Sequence, residues 1–342
     1  MMSLQQLVVT DDEAEIRLDR WFRRHFPGLT QAAIQKFCRT GQVRVDGKRV
    51  EASTRLASGQ EVRIPPIQAA AETAPDVDAP RAVRMDARDR AELEAAVIYQ
   101  DEQVIVLNKP HGLPVQGGPG ITRHLDGMLD ALRFGSPHRP RLVHRLDRDT
   151  SGVLLIARTP GVAAKLAASF RTRAVLKTYW AVVAGRPVPV EGRIDLPLIR
   201  IGGGPRGERS APADRGDKEA AHAITDYRTL DNAGQKLAWL ELQPLTGRTH
   251  QLRVHCFAIG APILGDVKYH EPDQNNAGSA VVDGLPSELH LHARALQLPH
   301  PAGGILIVEA DLPPHMQESF RLLGFTAPPA RAAMRRDGPP RN

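Results

Sequence analysis

The sequence predicts an α+β protein in two parts: a small module of two helices and a hairpin, then a larger, mostly antiparallel β-sheet domain with flanking helices. Three observations carry that expectation. Between Leu18 and Thr40, apolar residues recur at helical spacing, and an alternating stretch centred on Asp46-Gly47 follows. Beyond Ala91, apolar strand-like runs recur with few helical stretches among them. Between the two parts, residues 67–92 are rich in Ala, Pro and charge and poor in aromatics, the composition of a linker.

Residues 1–14 read as a tail and 15–66 as the small module. In "IRLDRWFRRHF", Leu18, Trp21, Phe22, His25 and Phe26 fall on one helical face, and Arg17, Arg20, Arg23 and Arg24 take the others. Pro27 and Gly28 break this helix. Thr30 caps a second, Gln31 to Thr40, with Ile34, Phe37 and Cys38 inward and Lys36 and Arg39 outward. "QVRVDGKRV" is a type I′ hairpin carrying Lys48 and Arg49, and the strand "QEVRIPP" closes the unit at Pro66. The β domain spans 93–323, with strand-like runs such as "QVIVLNKP", "VLLIA", "TYWAVVAG", "KLAWLELQPL" and "GGILIVEADLP". Helices are expected at Gly161 to Phe170 and at Thr249 to Ile259, the second capped by Thr249 and ended by Gly260. The Gly/Pro/charge-rich stretch Gly202 to Ala221 reads as a mobile surface insertion, and residues 324–342 as a disordered basic tail.

The chain has 342 residues, 42% of them hydrophobic, enough for more than one domain. No apolar run approaches the ~18 residues of a membrane span, and "MMSLQQLVVTDDEAE" lacks the apolar core of a secretion signal. Two cysteines, with no CxxC, argue against a disulfide scaffold or a cysteine zinc site and fit the cytoplasm. The net charge of +6 permits a polyanionic partner.

Four stretches have the makings of a site. "LVHRLDRDTSGVLLIA" packs Arg145, Asp147, Arg148 and Asp149 into a loop between two apolar runs, with His144 at its start. An arginine on each side favours a charged Asp147, a ready nucleophile or base; read alone, the loop is more often a solvated ion-pair cluster. "LELQPLTGRTHQLRVHCFAIG" runs strand, turn and helix, with Arg248 at a helix N-terminus that suits an anion and Arg253 one turn on. In "RAVLKTYWAVVAG", Lys177 and Tyr179 are two apart and share one face of a strand. "VLNKPHGLPVQGG" runs from a strand into a Pro/Gly loop with Lys109 at its mouth, without the strand-to-helix glycine pattern of a dinucleotide site. His250, His255, His290 and His292 lack the spacing of a zinc site, so no metal is expected.

"HRLDRDTSG", with "LNKPHGLPV" before it and "KTYWAVVAG", "LTGRTHQLRVH" and "LHARALQLPHP" after it, resembles the RluA-type pseudouridine synthases in order and spacing. "RLDRWF", "AIQKFCRTGQVRVDGK" and the hairpin resemble an S4 RNA-binding domain. Together they resemble the bacterial large-subunit ribosomal RNA synthases of types C and D. The resemblance implies that specific uridines of RNA, in 23S ribosomal RNA or its large-subunit precursor, are isomerised without a cofactor, by a monomer that has no dealings with membranes. It implies that Asp147 is the essential carboxylate, that Arg248 pairs with it, and that Tyr179 stacks on the uracil. It implies that Arg145 fills the space of the flipped base, as RNA contacts join it from His144 and Lys109. Arg20, Arg24, Lys36, Arg39, Lys48 and Arg49 of the small module are expected to bind RNA. Alternatives are a tRNA-directed synthase of the same family, a non-catalytic RNA-binding assembly protein, and a hydrolase using Asp and His; no GxSxG elbow supports the last.

Overall fold

The computed structural model describes residues 5–10, 13–26, 29–65, 86–118, 120–172, 174–204, 207–270, 282 and 284–336. The N-terminal module comprises β1 (Gln5–Val8), α1 (Leu18–His25), α2 (Gln31–Arg39), β2 (Arg44–Val45), β3 (Lys48–Arg49) and β4 (Glu61–Ile64), with sheet order β1-β4-β2-β3. Trp21, Phe22, Ile34 and Cys38 are buried against Val43, Val62 and Ile64, as the helical spacing requires. The Thr30 hydroxyl accepts from the Ala33 N–H at 3.3 Å, capping α2. Asp46 and Gly47 both have positive φ, 49° and 74°, the geometry of the expected turn. The expected N-terminal tail is partly built in: β1 pairs antiparallel with β4 along its whole length.

The linker expectation needs correction at its C-terminal end, the part that falls within the described residues. Residues 67–85 lie outside them, but 87–92 belong to a helix, α3 (Ala87–Ala95), capped by the Asp86 carboxylate on the Asp89 N–H at 2.7 Å. The low aromatic content that suggested a linker reflects an exposed, charge-laced helix that buries only Leu93.

The large domain then runs β5 (Val97–Gln100), β6 (Val104–Lys109), α4 (Leu125–Met128), β7 (Arg141–Leu142), β8 (Ser151–Ala157), α5 (Pro160–Arg171), β9 (Leu176–Ala184) and β10 (Glu191–Asp195). It continues through β11 (Leu198–Gly204), β12 (Gly207–Pro212), β13 (Ile224–Ala233), β14 (Leu237–Pro244), α6 (Gln251–Ala258), β15 (Leu291–Pro299), β16 (Ile305–Glu309), α7 (Pro314–Leu323) and β17 (Met334–Arg336). The main sheet has the order β10-β13-β14-β9-β15-β8-β6-β5, with β16, β17 and β7 attached. The strands are unbroken apolar runs because both faces are covered. Ile105, Leu107, Leu154 and Ile156 pack on one face beneath Leu125, Met128 and Leu129, while Val104, Val106, Val153 and Leu155 pack on the other with Val162 and Leu166 of α5. Among the described residues no helix is long and apolar enough to cross a membrane.

Two further expectations need correction. The Gly202 to Ala221 stretch is not a loose insertion: with residues 198–201 it begins as the β11/β12 hairpin. The Ser210 hydroxyl donates to the Thr249 carbonyl at 2.8 Å, and the Ser210 N–H donates to the Tyr269 hydroxyl at 2.9 Å. Its glycines and charges had hidden a hairpin whose polar edges are bonded. Of the basic tail, residues 337–342 lie outside the described residues, but Met334–Arg336 extend the sheet as β17 on β16.

Among the described residues, all but one of the pairings in the main sheet are antiparallel. The exception joins β8 to β15 in parallel, with His292 opposite Ser151 and Ala293 opposite Gly152. Gly152 has φ of 105°, and a Cβ there would collide with the Ala293 backbone carbonyl. Only glycine fits. Gly152→Ala is therefore expected to cost at least about 3 kcal/mol and to lower Tm by about 5 °C or more; thermal unfolding followed by circular dichroism checks this, and an unchanged Tm would contradict it.

Candidate functional site

The loop from Val143 to Thr150 connects β7 to β8 and enters a cleft of about 620 Å³. Leu146 is buried in the core and Asp147 is turned into the cleft. A Thr150 N–H bond to the Asp147 carbonyl at 3.2 Å tightens the loop. Register brings the second wall beside it: Tyr179 of β9 lies opposite Ala293, and Ala293 lies opposite Gly152, so the three residues form one row across the sheet. Tyr179 faces the same cleft. Burial, with the Asp147 charge adding to it, raises the Tyr179 phenol well above its ordinary value.

The third wall is the turn and helix from Thr246 to Arg253. Gln251 organises the turn: its side-chain carbonyl accepts from the Thr246 hydroxyl at 2.7 Å and the Arg248 N–H at 3.1 Å. Thr249 is not the cap expected of it. His250 is the residue before the helix, with left-handed φ and ψ of 54° and 19°, and the Thr249 hydroxyl instead accepts from Arg200 at 3.0 Å.

Arg248 does not pair with Asp147. Its Nε donates to the His222 carbonyl at 3.0 Å, at the cleft rim. The guanidinium facing the carboxylate is that of Arg253, whose Nη1 is 3.9 Å from Asp147 Oδ2. Arg253 is buried, and its Nε and Nη2 donate to the two oxygens of buried Asp266 at 2.7 Å each. Burial opposes the charge, but the Asp266 hydrogen bonds and the Asp266 and Asp147 charges hold the guanidinium above its ordinary pKa. His250 completes the surroundings: its Nε2 lies 3.9 Å from Asp147 Oδ2, and its Nδ1 is 2.9 Å from the Tyr269 hydroxyl. Burial pushes the imidazole down to about 4, so it is neutral at pH 7. Because the Tyr269 oxygen already accepts the Ser210 N–H, its own proton is available to Nδ1, which leaves Nε2–H facing Asp147.

The flanking arginines act differently from what their positions suggest. Arg148 pairs with Asp149 at 2.9 Å, and Arg145 is exposed at the cleft edge. Two expected RNA contacts prove to be internal supports. Lys109 is wholly buried, and its three N–H groups donate to the carbonyls of Pro110 (2.8 Å), Leu113 (2.9 Å) and Arg148 (2.9 Å), tying β6 to the Asp147 loop. Burial pulls its pKa down to about 7 against the pull of Asp149 and Asp147. His144 lines the cleft but is committed inward: its Nε2 accepts the Leu155 N–H at 2.8 Å and its ring stacks on Phe170, with centroids 4.8 Å apart. Burial pushes it to about 3, the neutral state this acceptor role requires.

The remaining histidines do not converge. His255 bonds Thr225 and Leu196, His290 bonds Glu288 and Ser319, and His292 bonds Ser151 and Ala310. Among the described residues no three His, Cys, Asp or Glu side chains form a group able to hold a metal. In the N-terminal module, Arg20, Arg24, Lys36, Arg39, Lys48 and Arg49 are all exposed, with the Arg49 guanidinium lying over Gly41 at the end of α2.

Asp266, Tyr269 and the pairing role of Arg253 escaped the sequence reading. The signal was the "LGDVKYH" stretch, whose glycine is required because a Cβ at Gly265 would collide with the Glu288 carbonyl. The Asp266 carboxylate then accepts the Lys268 and Tyr269 N–H groups at 2.8 and 3.1 Å.

The chain is similar to known proteins over both of its parts. Residues 103–258 match the family model of RNA pseudouridylate synthases, and residues 16–62 match the S4 domain. RNA pseudouridine synthase 4, mitochondrial, of Arabidopsis thaliana is 34% identical over 91% of this chain and 80% of its own. Ribosomal large subunit pseudouridine synthase C of Escherichia coli is 33% identical over 91% of this chain and 93% of its own. The structure of human RNA pseudouridylate synthase domain containing 4 superposes with a TM-score of 0.59 and 31% identity, covering 70% of this chain and 97% of that one. Arg253, Asp147 and Tyr179 thus converge in a chain that belongs to the RNA pseudouridine synthase family and joins an S4 domain to the isomerase domain.

Proposed function

We propose that this enzyme isomerises specific uridines of 23S ribosomal RNA, as a monomer in the cytoplasm, with Asp147 as its essential carboxylate. The observation that carries the assignment of Asp147 is its position: a carboxylate on a short, stapled loop, facing a buried guanidinium on one side and an aromatic ring on the other. The ribosomal substrate is supported by the relatives named for the large subunit and by the exposed cations of the S4 domain.

The reaction breaks the N1–C1′ bond, turns the uracil, and forms a C5–C1′ bond; the C5 proton leaves, and N1 gains one. The target uridine must first leave its stack, at a cost of a few kcal/mol, to reach a recessed carboxylate. Arg145, exposed at the cleft edge, is placed to occupy the vacated space. The Arg253 side of Asp147 fixes one carboxylate oxygen and leaves the other for the nucleoside. Asp147 then acts on the uracil C6 or at the ribose, as nucleophile or base. Tyr179 offers its ring face to the uracil. Its hydroxyl is a poor base while Asp147 is charged; consumption of that charge in a covalent bond removes one of the two causes that raise it.

Pseudouridine mapping across the 23S rRNA of a deletion strain tests the substrate: sites that lose the modification and regain it on complementation are expected, and an unchanged map would refute the ribosomal reading. Single-turnover tritium release from 5-tritiated uridine, with enzyme in excess, tests the residues. Asp147→Asn should fall below about a thousandth of the wild-type rate while still binding RNA, whereas Asp149→Asn should keep substantial activity. Arg253→Lys, which keeps the charge but loses the fork, should lose about a hundredfold or more. Arg248→Gln should lose far less, and the reverse order would return the pairing role to Arg248.

A further inference from the structure

Lys177 is a charged group of the catalytic cleft that the chemistry above leaves unused. It stands on β9 two residues before Tyr179, on the same side of the strand, and lines the same cleft. Among the described residues, its ammonium has no hydrogen-bond or ion-pair partner. Burial holds its pKa below the ordinary lysine value, and no carboxylate lies near enough to oppose the shift. Among the described residues the other buried cations are matched: Arg253 by Asp266, Arg294 by the Ala310 carbonyl and Glu309, and Lys109 and Arg158 each by three carbonyls.

A half-buried ammonium without a counter-charge costs free energy in the empty protein. It is completed by a ligand that brings the missing negative charge. Among the described residues the cleft lining offers one carboxylate, Asp147; it also includes the apolar Phe170, Val175 and Leu176, and the neutral His144 imidazole lies within electrostatic reach of Lys177. A uracil carbonyl carries only a partial charge; a phosphodiester carries a whole one and pairs more strongly with an ammonium. Spacing agrees. Two positions along a strand are about 7 Å, comparable with the span from a pyrimidine ring to its own phosphate.

Resting on the reading that this cleft takes the flipped uridine against Tyr179, we infer that Lys177 is the subsite for a phosphodiester group of that uridine, on its 5′ or 3′ side. It anchors the backbone of the nucleotide while Asp147 and Tyr179 act on its sugar and base.

The test uses the full chain and 23S rRNA transcribed with 5-tritiated uridine. Affinity is measured against salt, and single-turnover release at saturating enzyme, for wild type, Lys177→Met and Lys177→Arg. Lys177→Met should bind about tenfold more weakly, and its log–log salt dependence should be shallower by about one unit. Its rate at saturation should stay within a few fold of wild type, and Lys177→Arg should restore most of the affinity. Unchanged affinity and slope, with or without a lost rate, would overturn the inference and, with a lost rate, move Lys177 to the uracil. Should Lys177→Met fail to fold by circular dichroism, methylphosphonate linkages flanking the target uridine in a synthetic oligonucleotide make the same test on wild type. About tenfold weaker binding than the all-phosphate RNA is expected, and equal affinity would overturn the inference. Wild-type release on the same RNA reports separately on the underlying reading. Turnover by wild type with an unaffected Lys177→Met protein defeats this inference alone, whereas absence of wild-type release defeats both.

Discussion

The buried pair of Arg253 and Asp266 is the constraint on which the site depends. Neither side chain has appreciable contact with water, and each satisfies the other through two bonds of 2.7 Å. Removing one partner of such a pair costs about 3–5 kcal/mol, while the intact pair gives little net stability over an apolar replacement. Its value here is geometric. Two of the three guanidinium nitrogens are fixed by Asp266, so the third, Nη1, points to one place, where Asp147 Oδ2 stands. Gly265 and the backbone N–H groups of Lys268 and Tyr269 fix Asp266 in turn.

Asp147 is positioned from the other side by the sheet. Lys109 ties its loop to β6, Leu146 sinks into the core, and Gly152 carries the chain past Ala293 where β8 and β15 run parallel. Two rigid supports from distant parts of the chain therefore meet at one carboxylate, so orientation is settled before substrate arrives. His250 adds a neutral imidazole in a left-handed conformation, uncommon for a non-glycine residue, held by Tyr269. Through Ser210 and Tyr269 the β11/β12 hairpin is bonded into the same network.

Much of this was legible in the sequence. The helices of the small module, its Asp46-Gly47 turn and the strands of the large domain follow from apolar spacing and turn chemistry, and Asp147 stands out as a carboxylate on a loop between apolar strands. The inward place of Lys109 follows from the strand period: Ile105 and Leu107 pack on the face that carries Leu125 and Leu129, and Lys109 continues that row inward. Arg253 is not legible in this way. Helix α6 is buried from Gln251 to Cys256, so no apolar stripe separates an inward arginine from an outward one. Nothing in the local pattern brings Asp266 to it; the two residues are 13 apart and lie outside any shared helix or strand. The β11/β12 hairpin, Leu198 to Pro212, looks loose in the sequence because its stabilising bonds are to side chains and carbonyls far along the chain.

The most direct measurement of the central claim is a crystal structure of the protein bound to RNA carrying 5-fluorouridine at the target position, where fluorine replaces the proton that must leave. If Asp147, aimed by Arg253, is the reacting group, one carboxylate oxygen will lie bonded to or in contact with C6 or C1′ of the flipped nucleoside. The other oxygen will remain on Arg253. A nucleoside seated in the cleft with Asp147 turned away from it, or with a different side chain at the reacting atoms, would contradict the claim.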